Sequence, residues 1–154
     1  MTLLKINREI THFENFLDAN ALRNTEIENY IIRYLLIFCC AEFSELIREK
    51  ISNRVRAVND TYIVHFVEKN IDMRLRNPKM ENIYKVLEQF NEGLKDELKK
   101  NVDERIRTNW DSIIVNRNLV AHYTQCNISI TITELKSLLT DISSVIDEIG
   151  ILLR

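Results

Sequence analysis

Glycine and proline are almost missing from this 154-residue chain, which has 2 and 1 of them. Average usage would give roughly ten and eight. A chain so poor in turn residues cannot supply the many tight turns of a sandwich, barrel or propeller. Gly93 and Gly150 also lie too far apart for either GxGxxG or GxxxxGK[ST], so no glycine-rich phosphate cradle exists. The class that remains is all-α.

Other absences narrow the function. The net charge is −2, so no global basic field advertises nucleic acid. Cys39, Cys40 and Cys126 form no CxxC pair and read as reduced thiols of a cytosolic protein. The start, MTLLKINREI, has no apolar signal-peptide core, and the longest apolar run, Tyr34 to Ala41, is too short to cross a bilayer. His12, His65 and His122 show no HExxH or HxH spacing, so neither a metal site nor a cofactor is expected. There is no GxSxG elbow. Cys39 and Cys40 sit in a strongly apolar segment and read as buried thiols rather than nucleophiles.

What is present is helical periodicity. Leu3, Ile6, Ile10, Phe13 and Leu17 recur at steps of three and four. After a polar break at Asn20 to Asn24, Thr25 and Glu28 form a capping-box pattern that opens a long helix to about Val55. That helix is apolar on two faces, which suits a central helix or one touching a second subunit. Asn59 and Asp60 open a shorter segment with Ile63, Phe66, Val67 and Ile71 expected inward. Asn77-Pro78 predicts an N-cap and first helical position. The helix that follows carries Ile83, Leu87, Phe90 and Leu94, with Gly93 weakening its last turns. A further helix runs from about Val102 to His122. Thr131 and Glu134 cap a final one with Leu135, Leu138, Leu139, Ile142, Val145, Ile146 and Ile149 inward. The expected architecture is an up-and-down bundle of four main helices with one or two short extra ones, a single domain over residues 1–154.

Charge is uneven between Arg48 and Lys79, where eight Lys/Arg face four Asp/Glu. Arg54, Arg56, Arg74, Arg76 and Lys79 read either as a phosphate-facing rim or as an ordinary solvated helix face.

One constellation carries chemistry. At about 100° per residue, with Ile106 as origin, Trp110, Ile113, Val120 and Ala121 define an expected core-facing stripe, and Arg117 falls at about 20°, in its middle. A guanidinium there is costly unless it has partners or faces a polar cleft. Asn118 and His122 share another face one turn apart. A cation, an amide and an imidazole suit RNA strand cleavage. Histidine can act as general base or acid, arginine can stabilise charge on the scissile phosphate, and asparagine can orient the imidazole or bind a phosphate oxygen. The competing reading is structural: Arg117 pairs with a buried carboxylate and His122 favourably ends its helix.

The hexapeptide Arg117-Asn118-Leu119-Val120-Ala121-His122 resembles the Rx4–6H motif of HEPN domains, often written RNxxxH. It ends a long helix, and a capped final helix follows. The Asn77-Pro78 helix start and the acidic Ala41-Glu42 position are similar to those of the RiboL-PSP and MAE-type HEPN groups. The resemblance spans about residues 25 to 150. It implies a four- to six-helix bundle that dimerises, with two motifs meeting across the cleft as a metal-independent endoribonuclease site. On that resemblance Arg117 and His122 are the catalytic pair, Asn118 is the polar support, and Glu42 contacts Arg117, with Glu45 as an alternative. Some toxin members carry a modifiable tyrosine two residues after the histidine; here Thr124 stands there and Tyr123, a further support candidate, is adjacent. The resemblance implies an RNA-cutting toxin or anti-phage effector controlled by an antitoxin or sensor partner. The alternative is a non-catalytic helical module that binds a nucleotide or a partner.

Overall fold

The computed structural model describes residues 3–122, 128 and 130–154. Seven helices and no strand occur among them: α1 (Leu4–Ala19), α2 (Glu26–Arg56), α3 (Thr61–Arg74), α4 (Met80–Phe90), α5 (Leu94–Asn101), α6 (Glu104–His122) and α7 (Ile132–Leu152). The chain is all-α.

Four long helices make the frame, and α2 is its centre, packed against α1, α6 and α7 and also against α3. These contacts bury Ile31, Ile32, Leu35, Leu36, Cys39 and Phe43, whereas Ile27, Tyr34 and Ile37 stay exposed. Lys5 pairs with Glu42, and Phe13 packs edge-on to Tyr34, so α1 and α2 are antiparallel. Phe43 stacks on Trp110 at 4.6 Å, and the Arg117 cation bears on Cys40, so α6 is also antiparallel to α2. α7 runs alongside α2: Lys50 lies over Gly150, and Arg54 donates to the Arg154 carbonyl at 2.9 Å. The interior is mostly apolar, with Leu35, Leu36, Phe43, Ile47, Trp110, Ile113, Leu135, Ile142 and Ile146 at or near zero exposure and Glu28 and Ser44 as buried polar residues. α3, α4 and α5 are inserted between α2 and α6.

Local signals fixed several helix starts. Thr131 and Glu134 form the expected capping box. Asp60 caps α3, accepting from the N–H groups of Tyr62 and Ile63 at 2.9 and 3.2 Å. Other starts differ from expectation. Thr25 is the N-cap of α2, but its hydroxyl donates backwards to the Leu22 carbonyl at 2.6 Å. Glu28 instead accepts from the Asn24 N–H at 2.6 Å and pairs with Arg23. α4 begins at Met80, not at Pro78, because its first N–H donates to Asp111 of α6 at 2.8 Å. Gly93 does not lie within a helix; α4 ends at Phe90, and Gly93 is the N-cap of the separate α5. The extra short helices therefore number three.

The inward set of α3 is also corrected. Ile71 is buried and Val67 is packed against the core, but Ile63 and Phe66 are exposed. The second half of α2 meets α3 through Ser44, whose hydroxyl donates to the Leu75 carbonyl at 2.8 Å, and through Arg48–Asp72 and Arg56–Glu68 ion pairs. Charged contacts on that side leave the larger apolar side chains of α3 facing outward.

Candidate active site

α6 holds the motif through its own amphipathicity. Trp110, Ile113 and Ile114 are buried and fix the rotation of the helix. That rotation carries Arg117 to the inner side one turn after Ile113, where it is half-buried beside α2. Its Nη1 donates to Asn118 Oδ1 at 3.0 Å. Its Nε is buried without a hydrogen-bond partner, and among the described residues no carboxylate forms an ion pair with it. The buried-carboxylate alternative is thus not what α6 contains.

Asn118 bridges in the other direction, its Nδ2 lying 3.5 Å from Asn77 Oδ1. Its bonds hold Arg117 and the α3–α4 connection rather than the imidazole. His122 is exposed in the last turn of α6, with no partner among the described residues. Arg117 and His122 are separated by about 140° around the helix and about 7.5 Å along it. One copy of the chain therefore brings Arg117 and Asn118 together but leaves His122 on the outer face, beside exposed Val115 and Leu119.

The α3–α4 connection is the neighbour that sequence reasoning missed. Trp110 Nε1 donates to the Pro78 carbonyl at 2.6 Å, and Asn77 faces Asn118. Asn77-Pro78 was legible as punctuation, but its partners lie more than thirty positions away and leave no local signal. Arg76 and Lys79 belong to this connection, on either side of Asn77-Pro78.

The other candidates fall elsewhere. Glu42 does not reach Arg117; it pairs with Lys5 of α1 at 3.3 Å. At about 100° per residue Glu42 is turned roughly 160° from Cys40, the residue of α2 that faces Arg117. Glu45, the alternative, pairs with Arg48 at 3.0 Å. Tyr123, Thr124 and Cys126 lie outside the described residues. The basic rim is two groups. Arg74, Arg76 and Lys79 are at the motif end of α3. Arg54 and Arg56 are at the other end, where they bind the Arg154 carbonyl and Glu68. Ser44 to Arg56 along α2 is about 18 Å.

Burial pushes the Cys40 thiol up to about 12, with the Arg117 cation pulling weakly the other way, and pushes Cys39 higher still. Neither is a thiolate nucleophile at neutral pH. Among the described residues no group of three His, Cys, Asp or Glu side chains is placed to hold a metal ion, and no helix is long and apolar enough to cross a membrane.

The family model RiboL-PSP-HEPN matches residues 1–154. Comparison with curated proteins and with solved structures finds no match.

Proposed function

The chain belongs to the RiboL-PSP-HEPN family, and from that membership we propose that it is a metal-independent endoribonuclease whose site is completed by a second copy of the chain. The observation that carries this reading is Arg117. A cation on the inner side of a helix, its Nε unpartnered and without a carboxylate, is held at a cost. An incoming phosphate would supply the missing anion.

Cleavage through the ribose 2′-OH needs two proton transfers. One group takes the 2′-OH proton as the oxygen attacks phosphorus; another gives a proton to the departing 5′-oxygen, leaving a 2′,3′-cyclic phosphate. Arg117 stabilises the charge on the non-bridging oxygens, and Asn118 holds Arg117 in place. Of the three histidines His122 is the one carried by α6 itself, His12 being on α1 and His65 on α3. Two copies related by a two-fold axis bring the His122 of one chain to the Arg117 of the other, its imidazole serving as base or as acid and solvent exchanging the other proton. Exposed Val115 and Leu119 flank His122, and exposed Ile27, Tyr30, Tyr34 and Ile37 line the half of α2 at the same end of the bundle. Apolar surface of this kind suits a C2 contact there. In this reading the protein is a cytoplasmic toxin or anti-phage effector, held in check by an antitoxin or sensor protein.

The second reading is a non-catalytic module binding a nucleotide or a partner. The exposure of His122, far around the helix from Arg117, favours it. Incubation of the purified protein with total RNA and tRNA, with and without EDTA, separates the two. The nuclease cuts RNA in both conditions, spares DNA and leaves cyclic or 3′-phosphate ends. Intact RNA, or 3′-hydroxyl products, ends the proposal.

A further inference from the structure

α3 exposes an unusual amount of apolar surface for a helix with a core to join. Tyr62 is 90% exposed, Phe66 69% and Met73 63%. At about 100° per residue these three and Lys69 fall within about 60° of one another, forming one outward stripe. Tyr62 and Phe66 are one turn apart, about 6 Å along the axis.

The charge on this helix is sorted. Its two carboxylates, Glu68 and Asp72, point towards α2 and are taken up by Arg56 and Arg48 at 3.0 and 3.2 Å. Asp60, at its start, is engaged by the N–H groups of Tyr62 and Ile63. The outward stripe therefore presents rings and Lys69 with no unengaged carboxylate from α3. Its far end leads to Arg76, Asn77 and Lys79, while Arg74 turns off the stripe towards Lys85, Glu88 and Glu92, and Asn77 abuts Asn118 of the motif.

Aromatic rings interleaved with cations on an exposed track are what unpaired nucleotides bind. Every base has a face to stack, and every phosphate adds a charge to neutralise. We propose that the Tyr62–Phe66–Lys69–Met73 stripe of α3 is a stacking track for single-stranded RNA that leads to the Arg117–His122 segment. The choice of RNA as occupant rests on the nuclease reading; the stripe and its charge do not. Duplex RNA, whose bases are already stacked on one another, is excluded from this track and is the poorer ligand.

The test uses the full chain and a fluorescein-labelled oligonucleotide of about twelve nucleotides, a length within single-strand site sizes. With 2′-O-methyl ribose it can bind but cannot be cut through its 2′-oxygen. Anisotropy at low salt should show binding, and Tyr62→Ala and Phe66→Ala should each weaken it roughly ten-fold. Tyr62→Phe should preserve binding, and a duplex of the same sequence should bind less well. Unlabelled single-stranded DNA should compete, because stacking does not read the sugar. Both rings are exposed, so circular dichroism of the alanine variants should be unchanged. Absence of binding by the wild-type chain overturns the proposal. So does equal binding by the alanine variants, or a loss of self-association on light scattering in place of a loss of RNA affinity. If the wild-type chain binds through these rings yet cuts no RNA, the nuclease reading fails and the track stands. If it cuts RNA while the variants bind normally, the reverse holds.

Discussion

Trp110 donates its indole N–H to the Pro78 carbonyl at 2.6 Å while its ring stacks on Phe43, so one side chain joins three elements. The α3–α4 connection, α2 and the motif helix are all fixed by it. Trp110→Phe keeps most of the stack and leaves a buried carbonyl without its donor. It should cost about 1–3 kcal/mol. Trp110→Ala also opens a cavity and should cost about 3–5 kcal/mol. Chemical denaturation of both variants checks this; a Trp110→Phe variant as stable as wild type would show that packing alone matters there.

Asp111 caps a helix it does not belong to, accepting the Met80 N–H at 2.8 Å. Asp111→Ala should cost about 1 kcal/mol, the usual worth of an N-cap. Asp111→Asn keeps an acceptor and should lose only the charge at the positive end of α4, about 0.3–1 kcal/mol. Urea midpoints for the two variants test the order; Asn as damaging as Ala would contradict it.

These two residues also show what the sequence could and could not reveal. Signals that act within one turn were readable, such as Thr131 with Glu134 and Asp60 with Tyr62. So were the buried stripe of α7 and the Trp110 and Ile113 part of the α6 stripe, although Ala121 is exposed and Ile114 is buried instead. Long-range choices were not. Whether Pro78 starts a helix depends on Trp110 and Asp111, about thirty residues on. Whether Glu42 meets Arg117 or Lys5 depends on which face of α2 receives α1. Phe66 is exposed despite its apolarity, because apolarity is a residue property whereas exposure is a property of what packs alongside.

The pH dependence at α7 has a defined sign. The Thr131 backbone N–H and hydroxyl hold the Glu134 carboxyl below its ordinary value of 4.5. A lowered folded-state pKa contributes stability that is present above the unfolded value. It is lost as pH falls through the folded value. The gap in melting temperature between wild type and Glu134→Gln should therefore be widest at neutral pH and close on acidification. A gap that widens in acid would reverse the assignment.

Cys39 and Cys40 should resist alkylation in the native chain. Both are buried, and their thiols are pushed well above neutrality. Iodoacetamide labelling followed by peptide mapping should find neither modified until denaturant is added. Fast native labelling at either would show that this part of α2 opens to solvent.

The motif variants separate chemistry from architecture. Arg117 has no ion-pair partner among the described residues, and His122 is exposed at a helix end. Neither should be needed for folding, so Arg117→Ala and His122→Ala should each shift stability by no more than about 1 kcal/mol. Activity should respond differently. Loss of a positioned acid or base is worth roughly 10²–10⁴ in rate. Loss of a donor at the developing charge is worth roughly 10²–10³. Asn118→Ala frees Arg117 from its 3.0 Å anchor without removing the cation and should fall between wild type and Arg117→Ala. Mixing the inactive Arg117→Ala and His122→Ala chains gives the sharpest readout. If the site is composite, a heterodimer can combine the intact arginine of one chain with the intact histidine of the other, and part of the RNA cleavage returns. If each chain carries its own complete site, no mixture recovers activity. If Arg117→Ala instead melts many degrees lower while His122→Ala cuts RNA normally, Arg117 is a structural residue and the helical-module reading takes over.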